Sequence, residues 1–229
     1  CSMLVERFEG EAVTRVLIDT SPDMRDQLLD AGIGHLDAVV YTHSHADHVH
    51  GIDDLRQIVL NLRKRLPVWA DAPTQDALIS RFGYAFVQPE GSPYPPILEL
   101  HSIDGAFEIA GPGGVIGFQP FEVDHGSMAA LGFRIGGLAY LPDVVAIPEE
   151  AWTHLQRLEC WIVDALRRKP HPTHAHLDLT LEWIARARPT RAVTTNMHLD
   201  LDYATLCDEL PAHIRPAFDG MVIEIDPAE

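Results

Sequence analysis

Cysteine is scarce. Cys1, Cys160 and Cys207 are the only three in 229 residues, an odd number with no paired spacing. That usage fits a reducing cytoplasm better than a disulfide framework. No CxxC occurs, which argues against a thiolate zinc knuckle. The chain also has no run of ~18 apolar residues, so no transmembrane helix is expected. Its opening, CSMLVERFEG, has neither a basic n-region nor an apolar h-region, and no signal peptide is visible. The same stretch lacks an initiator Met and begins in a strand-like CSMLV, so upstream residues, an N-terminal strand among them, are expected to be missing. Basic residues are few as well. Seventeen face 34 acidic ones, for a net charge of −17. Such a chain repels long polyanions and anionic membranes unless bound cations reverse the field locally. There is no short-period repeat and no low-complexity tract.

What remains reads as a globular chain. Apolar residues are 46% and charged residues 22%, close to the soluble average. The length suits one large domain or two small ones. Strand-like runs are expected at Val13–Asp19, Asp37–Thr42, Pro67–Ala70, Ile97–His101, Phe107–Ala110, Val115–Val123, Leu131–Ile135, Leu138–Leu141, Cys160–Asp164, Arg191–Thr195 and Met221–Ile225. Helices are expected after Thr20-Ser21-Pro22-Asp23, over Ile52–Leu66, Pro73–Phe82, Glu149–Gln156, Leu179–Ala187 and Tyr203–Leu210. The order suggests two sheets with helices outside, in one domain. Gln88–Pro96 holds four prolines in nine residues and is a loop, either lining a substrate entrance or merely connecting elements. Gly111–Gly117 is a hairpin turn rather than a phosphate loop, because no Lys-Ser/Thr follows it. Cys160 and Cys207 read as core.

Thirteen histidines are many for this length, and four of them fall among the eight residues from His43 to His50. Thr42-His43-Ser44-His45-Ala46-Asp47-His48 is an HxHxDH pattern just past a predicted buried strand, where α/β folds place ligands. On an extended backbone His43 and His45 point the same way. Asp47 and His48 follow where the chain turns toward a helix. Imidazole with carboxylate suits Zn²⁺, Mn²⁺ or Fe²⁺. One loop cannot complete two metal shells. His125, Asp143 and His198 each follow another apolar run and are the candidates to complete them. Asp19 could fix the tautomer of a ligating imidazole or serve helix entry alone. His50 could support the site or be a polar group at a helix start.

The order HxHxDH…His…Asp…His, over nearly the whole chain, resembles the metallo-β-lactamase-fold hydrolases. The resemblance implies that His43, His45 and His125 bind one metal, that Asp47, His48 and His198 bind a second, and that Asp143 bridges them. It implies a four-layer αββα sandwich, α/β (α+β) in class, as a single domain over 1–229. The implied cofactors are two divalent ions, zinc or manganese with iron as the alternative, holding a bridging hydroxide beside Asp47. A narrower resemblance lies in His171–Leu179, Asn196-Met197-His198 and Phe218-Asp219-Gly220-Met221. These are similar to the phosphoribosyl cyclic phosphate phosphodiesterases. That likeness implies His176, in His176-Leu177-Asp178-Leu179, as the general acid.

The expected activity is therefore cytoplasmic hydrolysis of a small cyclic or nucleotide-like phosphate ester. Arg168, His171 and His174 are expected to contact the substrate. No long nucleic acid and no membrane is expected as a partner, and a homodimer is allowed. The rivals are an RNA 3′-processing nuclease, a thioester or lactone hydrolase, a single-iron dioxygenase and a catalytically silent binding protein. The nuclease would need a basic arm, and no basic excess is present. Seven ligand-type residues argue against the silent protein.

Overall fold

A computed structural model describes residues 2–226; Cys1 lies outside them. The chain divides into two compact units, one up to Gly117 and one from Phe118 on.

In the first unit, the strands β1 (Met3–Glu9), β2 (Ala12–Ile18), β3 (Ala38–Val40), β4 (Leu66–Ala70) and β5 (Leu98–Ser102) form one sheet in that order. β1 and β2 are an antiparallel hairpin pairing Met3 with Ile18, and the other pairs are parallel. The helices are α1 (Met24–Asp30), α2 (Ala46–Val49), α3 (Leu55–Leu62) and α4 (Ala72–Phe86). β3 reads Ala-Val-Val and is buried throughout, as a central parallel strand requires. Leu17, Val39, Val68 and Leu98 from the strands meet Met24, Leu55, Ile58 and Leu78 from the helices in one apolar cluster. β6 (Phe107–Gly111) and the start of β7 (Gly114–Asp124) form the hairpin expected around Gly111–Gly117.

In the second unit, β7 continues and is followed by β8 (Ala129–Ile135), β9 (Leu138–Leu141), β10 (Cys160–Asp164), α5 (Leu177–Ala187), β11 (Arg191–Thr195), α6 (Tyr203–Glu209) and β12 (Ile214–Pro216). The sheet runs β12-β11-β10-β9-β8-β7, with β7, β8 and β9 antiparallel and β9 to β12 parallel. β10, Cys-Trp-Ile-Val-Asp, is buried at every residue. β7 instead alternates along its length, burying Ile116, Phe118, Phe121 and Val123. The core joins Val123, Leu141, Trp161 and Val163 of the strands to Leu177, Ile184 and Leu206 of the helices.

Several expected elements are placed differently. Ile52–Leu66 is not one helix. A 3-10 turn at Ile52–Asp54 precedes α3, and Arg63, with φ 54°, ends it in the left-handed region so that Leu66 can open β4. α4 runs four residues past Phe82 but is kinked there, at φ −128°. Glu149–Leu155 is 3-10 rather than α-helix. No strand forms at Met221–Ile225. The edge position belongs to Ile214–Pro216, a segment too short and too proline-marked to show a strand period. Cys160 is buried as expected, whereas Cys207 is exposed on α6.

Candidate metal centre

Strand ends position the donors. In the first unit β2 and β3 are parallel neighbours, so Asp19 and Thr42-His43 emerge at one edge. Asp19 has φ 61°, an uncommon conformation for a residue with a side chain. Its N–H donates to the Val40 carbonyl at 2.8 Å. Its fully buried carboxylate accepts from the Thr42 N–H at 2.8 Å, the Thr42 hydroxyl at 2.7 Å and His48 Nδ1 at 2.8 Å. Of the two roles open to Asp19 in the sequence, it therefore fixes an imidazole.

These bonds determine tautomers. A carboxylate only accepts, so His48 carries its proton on Nδ1 and leaves an Nε2 lone pair. The Thr42 hydroxyl spends its one proton on Asp19. It therefore accepts from His43 Nδ1 at 3.0 Å, and His43 Nε2 is also left with a lone pair. His43 Nε2 lies 3.0 Å from His45 Nδ1, and His48 Nε2 lies 3.3 Å from Asp47 Oδ2. Ligands ~2.0–2.1 Å from a tetrahedral ion stand about 3.3 Å apart, so both pairs have the spacing of a shared coordination edge. His43 and His45 belong to one group of close donor atoms able to bind metal, and Asp47 and His48 to another.

The motif loop is held from two further sides. Gly51 ends its helical turn against the Thr20-Ser21 backbone, and a Cβ there would stand 2.2 Å from the Ser21 carbonyl oxygen. From α4, the Arg81 guanidinium donates to the Ser44 carbonyl, and Phe82 meets the His50 ring edge-on at 5.9 Å. His50 is thus an exposed ring on the α4 side, not a partner of the donors.

The second unit carries its own donors. β7, β9, β10 and β11 all finish at one edge, placing His125, Asp143, Asp164 and Asn196 in neighbouring loops. His125 Nδ1 lies 2.7 Å from the Thr173 carbonyl oxygen, which can only accept. His125 Nε2 is thereby a lone pair, 3.4 Å from Asp143 Oδ2. Gly126, at φ 80°, lets that carbonyl segment close in, since a Cβ would meet Thr173 Cγ2 at 2.5 Å. Asn196 Nδ2 donates to the other Asp143 oxygen at 2.8 Å. His198 stands apart. Its half-exposed ring turns Nδ1 toward Asp200 at 3.2 Å, and no close set of three donor atoms among the described residues includes it.

Two groups in this unit were not singled out by the sequence as a pair. His174 Nδ1 lies 2.9 Å from Asp164 Oδ2, and its ring packs edge-on against His125 with centroids 4.8 Å apart. Asp164 also accepts from the Val144 and Ala175 N–H groups. Burial pushes its carboxyl up to about 7, against the pull of the His174 hydrogen bond. His176, by contrast, is the N-cap residue of α5, and no hydrogen bond of its side chain is found among the described residues. His171 lies 5.2 Å from the His174 ring and accepts from the Thr173 N–H. Burial, with Arg167 and His174 nearby, lowers the His171 pKa. Arg168 is not turned to these histidines. Its guanidinium is 2.7 Å from Glu209 on the surface.

The donor chemistry fits divalent metal. Three imidazoles, His43, His48 and His125, have Nδ1 committed as donor and Nε2 presented as lone pair, the arrangement in which an outer partner orients a metal ligand. Residues 14–197, most of the chain and parts of both units, match the β-lactamase superfamily domain. The chain belongs to that superfamily. Among solved structures it is similar to a diphosphatase from the PhnP family, with 30% identity, TM-score 0.85, and 99% of this chain and 98% of that one covered. It also matches a metallo-β-lactamase fold protein from Bacillus subtilis at 15% identity and TM-score 0.72, covering 96% and 97% of the two chains; that likeness speaks to fold alone. Among curated relatives it is 35% identical over 225 residues to an octanoyltransferase of Porphyromonas gingivalis, a match covering 94% of this chain and 43% of that protein. The chain thus spans less than half the length of that relative. With this superfamily membership the fold is the metallo-β-lactamase type expected from the motif order.

Proposed function

We propose that the chain hydrolyses a small phosphodiester or diphosphate ester at two divalent metal ions. The proposed ligands are His43, His45, Asp47 and His48 from the first unit with His125, Asp143 and His198 from the second. When bound, such ions supply Lewis acidity at the phosphoryl oxygens and an activated water. The chain's own residues do the rest. Asp19, Thr42 and the Thr173 carbonyl hold three imidazoles in the metal-binding tautomer. Asn196 orients the Asp143 carboxylate.

The observation that carries the reading is the His174–Asp164 pair beside His125. With Nδ1–H donated to the buried carboxylate, the imidazolium form of His174 carries its second proton on Nε2 and can give it to the leaving oxygen. Geometry therefore favours His174 over His176 as the general acid. The likeness to a diphosphatase along nearly the full chain supports a phosphate ester as substrate. The test is turnover of a panel of phosphodiesters, diphosphates, phosphomonoesters, thioesters and lactones by metal-reconstituted protein. Turnover led by the phosphodiesters or diphosphates is expected; turnover confined to thioesters or lactones overturns the reading.

One observation favours a second reading. The similarity to part of an octanoyltransferase supports an acyl ester or thioester as substrate. The same panel separates the two, because the acyl substrates would then lead.

A further inference from the structure

The first unit holds a cavity of about 390 Å³ lined by Arg56, Tyr84, Pro89, Ser92, Tyr94 and Pro95. That size falls in the range of small-ligand sites. Its walls are two phenol rings, two pyrrolidines, a hydroxyl and a guanidinium. The Tyr84 hydroxyl is already committed, donating to both Asp53 carboxylate oxygens at 2.6 Å. Partial burial, with the Asp53 acceptor, pushes that phenol up to about 12, so it stays a donor. The ring is thereby fixed and can present its face to a ligand. Tyr94 lies on the proline-rich loop between Pro93 and Pro95, where fixed φ angles limit the cost of holding it in place. Its own N–H is tied to the Ser92 hydroxyl at 3.2 Å. Arg56, on α3, forms no ion pair among the described residues, in a chain of net charge −17. The cavity's Tyr84 lies on α4, the helix that also touches the motif loop. Arg81 and Phe82 contact Ser44 and His50, and Tyr84 follows Arg81 within one helical turn, about 5 Å of axis.

We infer that this cavity is a nucleobase site, in which Tyr84 and Tyr94 take the faces of a purine ring and Arg56 takes a phosphate of the same nucleotide. This rests on the phosphate-ester reading and narrows it to esters bearing an aromatic base. Two aromatic faces and a cation suit a planar heterocycle attached to an anion. An octanoyl chain would leave the guanidinium without a counter-charge.

The test is calorimetric titration of the metal-loaded chain with AMP, adenosine and ribose 5-phosphate, which needs no turnover. AMP is expected to bind about tenfold more tightly than ribose 5-phosphate, the stacking contribution of one base. Tyr94→Ala, at an exposed loop position, is expected to abolish that preference while leaving ribose 5-phosphate affinity unchanged. Arg56→Ala is expected to weaken AMP and spare adenosine. Equal affinity of AMP and ribose 5-phosphate, or an AMP affinity unmoved by Tyr94→Ala, overturns the inference even if phosphodiesters are turned over. A retained AMP preference without any phosphodiester turnover would instead overturn the proposed reaction and leave the base site standing.

Discussion

At the scale of single residues, the chemistry divides between groups that bind and groups that orient. His174 is the sharpest case. A hydrogen bond from its Nδ1 to the buried Asp164 fixes which nitrogen can carry a proton outward. His174→Ala is expected to retain metal and to lose ~10²–10⁴ in turnover of esters with poor leaving groups. It should lose far less with an activated aryl leaving group, which departs without protonation. His176→Ala should lose little with either. If the two variants behave alike, or if His174→Ala fails equally on both leaving groups, proton donation by His174 is wrong. Thiol chemistry checks burial independently. Burial pushes the Cys160 thiol up to about 11, so at pH 8 it is almost entirely protonated as well as enclosed. Cys207 is exposed. In a chain already carrying Cys1→Ser, native-state labelling by a thiol reagent should disappear with Cys207→Ala, and the Cys160 signal should emerge only on unfolding.

At the scale of elements, strand ends supply the donors and short close approaches set them. The turn after the HxHxDH segment passes so near the loop after β2 that only glycine fits at position 51. The two segments are joined there by the Thr20 N–H to the His48 carbonyl at 2.7 Å and by the Gly51 N–H to the Thr20 carbonyl at 2.9 Å. The added methyl of Gly51→Ala meets backbone rather than a movable side chain. The expected cost is about 1–3 kcal/mol, as for other overpacked sites. For a chain of this length each kcal/mol lowers Tm by roughly 2–4 °C. Because the displaced segment carries Asp19, zinc affinity should fall with Tm. A thermal scan with a metal titration checks both, and an unchanged affinity would separate the turn from the donors. Arg81 joins α4 to the same loop through the Ser44 carbonyl, and the kink at Phe82 lies one residue beyond it. A helical period alone does not show a bend there; the bent residue is the one whose ring meets His50.

At the scale of the whole molecule, a net charge of −17 opposes the anionic substrate proposed above. Two divalent ions would place four positive charges at the donors and resolve that conflict locally. Elemental analysis of protein prepared without chelator is expected to find about two transition-metal ions per chain, since the proposed seven ligands exceed the roughly four of one structural zinc. A stoichiometry near one with full activity would refute the two-metal arrangement. Asp143→Asn should lower that stoichiometry, because an amide bridges poorly. The same acidity predicts discrimination against long RNA. Small phosphodiesters should be cleaved faster than a precursor tRNA at moderate salt. Faster tRNA cleavage with a steep salt dependence would reverse the preference.

The sequence by itself determined the donor types, their order along the chain and the strands that carry them. With no paired cysteines, the donors open to a metal here are imidazole and carboxylate, and parallel strands present them at their ends, so a local pattern such as HxHxDH after a buried run is readable without coordinates. It also fixed the two-sheet composition, because buried parallel strands and amphipathic helices have different periods. Tertiary structure alone decided which nitrogen of each imidazole is offered. Those choices come from Asp19 against His48, 29 positions apart, and from the Thr173 carbonyl against His125, 48 apart. It likewise paired His174 with Asp164, tied Arg168 to Glu209 and drew the edge strand from Ile214–Pro216. It brought Arg56, Tyr84 and Tyr94 to one cavity. Hydrogen bonds and cavities of this kind join segments that share no local spacing, and a one-dimensional period carries no record of which distant group a side chain will meet.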